Sequence, residues 1–185
     1  MEALTARKPI TLTTTAMCSG TFAARIARSQ RLRELRITGS ESSGWGRPGN
    51  YVEASRLKAY GLDVRATISP DAEAAIAALS DGLADVAFTD SLTAVRARAR
   101  NIPVQFITII GGMENGYVAL ASVIDAKGYA MARLARALRE NIGADYVDAR
   151  ALQALIDRFA AEKLVERAVT AGDLISSVAI MSGTK

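Results

Sequence analysis

Between Leu35 and Ser122 the chain alternates short apolar runs with helix-forming stretches, and each run stops in a small, polar or glycine-rich turn. Leu35-Arg36-Ile37-Thr38 leads into Gly39-Ser40-Glu41-Ser42-Ser43-Gly44-Trp45. Asp85-Val86-Ala87-Phe88-Thr89 leads into Asp90-Ser91. Phe106-Ile107-Thr108-Ile109-Ile110 leads into Gly111-Gly112-Met113-Glu114-Asn115-Gly116. Helices between successive strands imply crossover connections and a mainly parallel sheet, so the pattern predicts an α/β fold in three layers, with helices flanking the sheet. Ligands of open α/β sheets sit outside the carboxyl ends of the strands. The three turns therefore sketch the rim of a small-molecule cleft.

The elements between the turns follow from local chemistry. Asn50 to Tyr60 reads as a helix with Val52, Leu57 and Tyr60 as apolar positions and Gly61 as its C-terminal stop. Leu62 to Ile68 alternates with period two, as a half-buried strand does. Ser69-Pro70-Asp71 starts a helix from Ala72 to Leu79 that Gly82 closes. Leu92 to Arg100 is helical, with Arg96 and Arg100 on one solvated face, and Asn101-Ile102-Pro103 breaks it. Tyr117 to Ala121 is a fifth strand, antiparallel or crossing outward. Asp125-Ala126-Lys127-Gly128 reads as a linker or turn. Tyr129 to Asn141 carries Met131, Leu134, Ala135 and Leu138 on one helical face, and Gly143 ends it. Asp148 caps a second amphipathic helix, Ala149–Ala161, with Leu152, Leu155, Ile156 and Phe159 on its apolar side. Lys163-Leu164-Val165 and Asp173-Leu174-Ile175 look like short closing turns.

Composition excludes several kinds of chemistry. The 185 residues contain no histidine and one cysteine. Intrachain disulfides, histidine-based zinc sites, Ser-His-Asp and Cys-His pairs and imidazole acid–base work are all removed. No cofactor, metal or catalytic residue is expected, and the chain does not read as an enzyme. The net charge of +4 resides in the first 36 residues. Arg7, Lys8, Arg25, Arg28, Arg31, Arg33 and Arg36 stand there against Glu2 and Glu34, and the remainder is nearly neutral. No basic stripe with interleaved aromatics lies outside that region, which argues against nucleic acid as a partner. No uncharged apolar run approaches the roughly 18 residues of an integral membrane segment.

Residues 1–32 have the parts of an export leader, expected to be cleaved off or to stay as a disordered tail. Arg7-Lys8 precedes the uncharged stretch Pro9–Ala24, and Ala27-Arg28-Ser29 is compatible with a cleavage site. The threonine-rich centre suits a twin-arginine-like signal, where a pair of arginines is the usual form, better than a general secretory signal. A transit peptide and a degenerate leader are the competing readings. Cys18 is a lone thiol in this region, either inert or a site of lipid attachment.

The order of residues resembles a known family. Gly61-Leu62-Asp63-Val64, then Ala78-Leu79 with Gly82 and the run Ala84-Asp85-Val86-Ala87-Phe88-Thr89-Asp90, then Ile109-Ile110-Gly111-Gly112, are similar to the first lobe of periplasmic substrate-binding proteins. The subfamily they most resemble serves ABC importers for nitrate, sulfonate, taurine and thiamine-precursor compounds. Arg136–Asn141 and Leu152–Asp157 are similar to that family's C-terminal helices. The resemblance implies a lobe of the type II binding-protein fold at 33–124 and a helical segment at 125–185 that packs on it. Such proteins clamp ligand between two lobes, whereas this chain passes from the first lobe to the closing helices as though most of the second were missing. Closure of two lobes is what buries a ligand, so the gap bears on how tightly one is held.

The resemblance also implies roles for the turns. Ser40, Glu41, Ser42 and Trp45 would touch ligand, with Trp45 as a stacking wall; equally, Trp45 covers an edge of the core. Asp90 and Ser91 would bind through the Ser91 hydroxyl and the following helix amides, or one of them is an N-cap. Gly111, Gly112 and Met113 would offer backbone amides, or form only a turn. Glu41 and Glu114 would meet a ligand amine, or are surface charge. The function implied is the solute-binding component of an ABC-type importer for a sulfonate, nitrate-like or pyrimidine-like compound, partnered by a permease and located in the periplasm. It becomes cytoplasmic if the leader is degenerate. A sensor or interaction module and a non-functional remnant are alternatives. A thiamine-precursor-synthase-like enzyme fits less well, because that chemistry consumes a histidine. A lone lobe would expose its inter-lobe face, which implies a homodimer.

Overall fold

The computed structural model describes residues 32–42, 44–45 and 51–180. The leader other than Leu32, including Cys18, lies outside the described residues, as do Ser43 and the expected helix start at Asn50. Five strands form one sheet in the order β2-β1-β3-β5-β4. They are β1 (Arg33–Ser40), β2 (Leu62–Ser69), β3 (Val86–Asp90), β4 (Val104–Ile110) and β5 (Asn115–Leu120). Strand β1 pairs in parallel with β2 and β3, whereas β5 runs antiparallel between β3 and β4. The α/β class, the flanking helices and the mainly parallel sheet are as the sequence predicts.

Among the described residues six α-helices flank the sheet: α1 (Ala54–Leu57), α2 (Ala72–Ser80), α3 (Ser91–Ala99), α4 (Ala121–Ile142), α5 (Ala149–Ala161) and α6 (Ala171–Leu174). Residues of α2, α3, α5 and α6 share a core with Ala87, Phe106, Ile109 and Val118 on one face. Residues of α1 and α4 share another with Leu35, Ile37, Phe88 and Tyr117 on the other face. Strand alternation sorts the residues: Val86 and Phe88 go to one face and Ala87 to the other. An irregularity between Phe106 and Thr108 interrupts the β4 ladder, and beyond it Ile109 and Ile110 still divide between the two cores.

Capping chemistry sets several boundaries. Asp71 accepts from the Ala74 amide at 2.7 Å to start α2, and Asp148 accepts from the Arg150 and Ala151 amides to start α5. Three local expectations differ from the structure. The first helix is short, since Glu53 at its N-cap makes no side-chain cap bond and Lys58–Tyr60 tightens into a 3-10 turn before left-handed Gly61. Strand β2 is not half-buried along its length: Arg65–Ile68 are all exposed, because β2 is an edge strand. The turn at Asp125–Gly128 is instead a kink within α4, where Lys127 leaves the helical region with φ −121°.

That kink coincides with the main ion cluster. Asp85, whose side chain is 4% exposed, receives the Arg36 guanidinium at 2.9 Å and the Lys127 ammonium at 3.0 Å. The Arg36 backbone N–H also donates to Asp85 Oδ2 at 2.9 Å, and Arg36 Nη1 donates to the Gly82 carbonyl at 2.6 Å. The cluster ties β1 and the entry to β3 to α4. Burial opposes ionisation of Asp85, but the hydrogen bonds from Arg36 and Lys127 outweigh it and hold the carboxyl below its usual pKa.

Because the folded-state pKa lies below the unfolded value, this contribution is complete above roughly pH 4 and is lost as pH falls toward the folded value. Asp85→Asn should cost about 2–3 kcal/mol at neutral pH, at or below the lower limit for breaking a fully buried pair, since both cations remain partly solvated. Urea unfolding of the two proteins should converge over the interval from about pH 4 down to about pH 2. A gap that stays constant over that interval would exclude the ionised carboxylate as its source.

Candidate functional site

The carboxyl ends of β1, β3 and β4 lie at one end of the sheet, but their turns do not all face one cavity. Ser40 is buried at the end of β1, and its hydroxyl lies 2.9 Å from that of Ser42. The Trp45 amide donates to the Ser40 carbonyl at 2.9 Å, and the Gly44 amide donates to the Glu41 carbonyl, which closes a tight turn. The indole then folds over Gly39, where an added Cβ would sit 2.8 Å from the ring. Its ring centre is 5.7 Å from Phe88 and 5.8 Å from Tyr117, with Tyr51 at 6.1 Å. Trp45 therefore covers the core on the α1 and α4 side of the sheet. Tyr117, inside this aromatic group, has its phenol pKa pushed up by burial.

The other two turns are joined. Asp90 caps α3: its Oδ1 accepts from the Thr93 amide and its Oδ2 from the Thr93 hydroxyl, each at 2.8 Å. Buried Ser91 spends its backbone N–H on the Glu114 carbonyl at 2.9 Å and donates its hydroxyl to the Met113 carbonyl. Two of the amides that an anion could have met at the start of α3 are thus already occupied. The partner turn is unusual in its backbone. Gly111, Gly112 and Met113 all have positive φ, and the Glu114 amide reaches back to the Gly111 carbonyl at 3.4 Å. Left-handed conformations at both central positions suit a hairpin turn, but glycine or asparagine usually occupies them. Met113, at φ 84°, is held there by Ser91 and by burial of its side chain in the core beside α3 and α5.

A cavity of about 610 Å³ opens between these turns and α5. From the sequence-predicted set it takes Asp90, Ser91, Gly112, Met113 and Glu114. Ser40, Glu41, Ser42, Trp45 and Gly111 are not among its lining residues. Its opposite wall comes from a helix not marked as part of the site by the turns: Leu155, Arg158 and Phe159, with Ala151 and Ala154, plus Leu92 of α3. The available signal was the amphipathic pattern of α5, in which Leu155 and Phe159 lie four residues apart on one face and Arg158 borders it. The walls are mainly apolar, with an exposed guanidinium on α5 and exposed Glu114 on the hairpin. Among the described residues no cluster of three or more Asp, Glu, Cys or His side chains could hold a metal ion, and no helix is long and apolar enough to cross a membrane.

Two substitutions test this construction. Gly39→Ala should push the indole off Phe88, costing about 1–3 kcal/mol and shifting the emission of the single tryptophan to longer wavelength. Unchanged emission would show that the ring is held elsewhere. Ser91→Ala should cost about 1 kcal/mol and speed hydrogen exchange of the Glu114 amide about fivefold. Equal exchange in both proteins would mean that the hydroxyl does not secure the hairpin.

No protein-family profile matches the chain, and no curated protein sequence matches it significantly. Among solved structures it is similar to the periplasmic aliphatic sulphonate binding protein SsuA from Escherichia coli, with a TM-score of 0.55 and 10% identity. That alignment covers 77% of this chain and 97% of the other. It is also similar to the alkanesulfonate-binding protein SsuA from Xanthomonas axonopodis pv. citri, bound to MOPS, with a TM-score of 0.56 and 9% identity, covering 78% and 98% respectively. At such low identity the likeness is one of architecture: the chain carries the α/β fold of periplasmic solute-binding proteins.

Proposed function

We propose that this protein binds a small organic solute with an anionic head in the cavity between the β3 and β4 turns and α5, as the solute-binding component of an ABC-type importer. The observation that carries the reading is the composition of that cavity, in which Arg158 borders an apolar wall of Leu92, Met113, Leu155 and Phe159. A guanidinium offers a planar fork of donors to a sulfonate or carboxylate, while the apolar wall takes an alkyl portion. The proteins of similar fold are sulfonate binders by name, which favours a sulfonate among the anionic classes; nitrate-like and pyrimidine-like solutes are the alternatives. Asp90 in this reading is structural, since both its oxygens are engaged by Thr93. Gly112 and Met113 shape the rim, and Glu114 faces any cationic or hydroxylated end of the solute. Ser40, Glu41, Ser42 and Trp45 support the neighbouring turn instead of touching the solute.

The described residues make a single sheet, so α5 serves as the second wall that a second lobe would otherwise provide. Such a pocket captures solute without the closure of two lobes. Periplasmic location and a permease partner belong to the same reading.

A panel of linear alkanesulfonates, nitrate and pyrimidines should separate the solute classes by thermal shift, with the sulfonates raising the melting temperature in a saturable way. Arg158→Gln, at an exposed position, should leave the fold intact and weaken sulfonate binding about tenfold, the loss expected for one charge-assisted contact. Absence of a shift with every compound would remove the solute-binding reading. A shift insensitive to Arg158→Gln would place the solute elsewhere.

A further inference from the structure

The C-terminal half of α3, away from the cavity just described, borders a second and smaller cavity of about 240 Å³. Arg96, Arg100 and Lys163 line it with the single carboxylate Glu166, so cations outnumber anions three to one. Arg96 is half-buried and donates its Nε to the Leu164 carbonyl at 2.9 Å, which orients the guanidinium and leaves both terminal nitrogens without a partner among the described residues. Arg100 makes a 3.3 Å contact with Glu73, a pair exposed on both sides and correspondingly weak. The Lys163 ammonium has no partner among the described residues.

The backbone at Lys163 points the same way. Helix α5 ends in a left-handed turn, with the Leu164 amide bonded to the Phe159 carbonyl at 2.8 Å and the Lys163 amide to the Ala160 carbonyl at 3.0 Å. Lys163 itself occupies the left-handed position, with φ 56°. Glycine, or failing that asparagine, is the usual residue there because a Cβ is strained. This chain follows that rule at the ends of other helical segments, with Gly61, Asn101 and Gly143. Lysine is the exception, and the exception lines the cavity. A cation near a helix C-terminus is favourable by itself. That interaction requires neither a cavity nor a left-handed lysine, and it does not explain why three cations converge.

We infer that this cavity binds a multivalent oxyanion of the phosphate or sulfate class, at a site distinct from the solute cavity. A space of about 240 Å³ is large enough for one tetrahedral oxyanion with part of its hydration shell. The oriented Arg96 fork, Arg100 and Lys163 supply charge-assisted donors from two helix ends, so the bound anion would also pin α3 to the end of α5.

Inorganic phosphate is the probe. In millimolar sodium phosphate, compared with sodium chloride at equal ionic strength, the wild-type melting temperature should rise by about 2–4 °C, and calorimetric titration should saturate. Lys163→Gly should melt no lower than wild type in chloride, because glycine suits the backbone, yet lose most of the phosphate-dependent rise. Arg100→Gln, at an exposed site, should lose a comparable share. Equal melting of the wild type in the two salts would overturn the site. So would a phosphate effect that survives both substitutions, since that is the behaviour of an excluded salt.

Discussion

Strand β5 pairs with β3 along one edge and β4 along the other, so its first four residues, Asn115–Val118, are paired on both sides. The register of these pairs places Asn115 opposite both Asp90 and Ile110. The end of β3, the start of α3 and the β4–β5 hairpin are thereby held side by side. Ser91 then has the Met113 and Glu114 carbonyls within reach, and the left-handed Met113 gains the support its backbone requires. The cavity beside α5 and the strained hairpin follow from one antiparallel strand inserted among parallel neighbours.

The opposite end of the sheet is secured by charge. Asp85, Arg36 and Lys127 join β1, β3 and α4 through a carboxylate that solvent scarcely reaches. The departure of Lys127 from helical geometry brings its ammonium onto that carboxylate, so the kink in α4 and the ion cluster are one feature. Around α3 the two ends are used differently. Its first turn contributes an apolar wall and a capping carboxylate, and its last turns contribute cations.

Much of the fold was legible because it rests on local signals. Asp71 and Asp148 announce helix starts through side chains that reach amides two or three residues ahead, and Gly61, Gly82 and Gly143 announce ends through a backbone conformation that suits them. Strand β4 and helix α5 follow the predicted residues, since β-branched runs and a four-residue apolar rhythm are written over short spans. The candidate site was legible in part. Asp90, Ser91 and the 112–114 hairpin share a cavity, but the first turn does not. The sequence shows that Ser40–Trp45 follow a strand and leaves open which face of the sheet the indole will choose. That choice depends on Gly39 admitting the ring and on Phe88 and Tyr117 receiving it, residues up to 72 positions from Trp45 along the chain.

The chain by itself determined an α/β alternation, the glycine-rich ends of its strands, the amphipathic character of α5 and the absence of imidazole chemistry. These are properties of neighbouring residues and of composition. Only the tertiary structure decided that β5 would insert between β3 and β4, that Arg158 would line one cavity with the hairpin, and that Arg96, Arg100 and Lys163 would line another. The reason is physical: periodicity states that a helix has an apolar face, but packing against a particular sheet decides where that face lands and which charges its edges bring together.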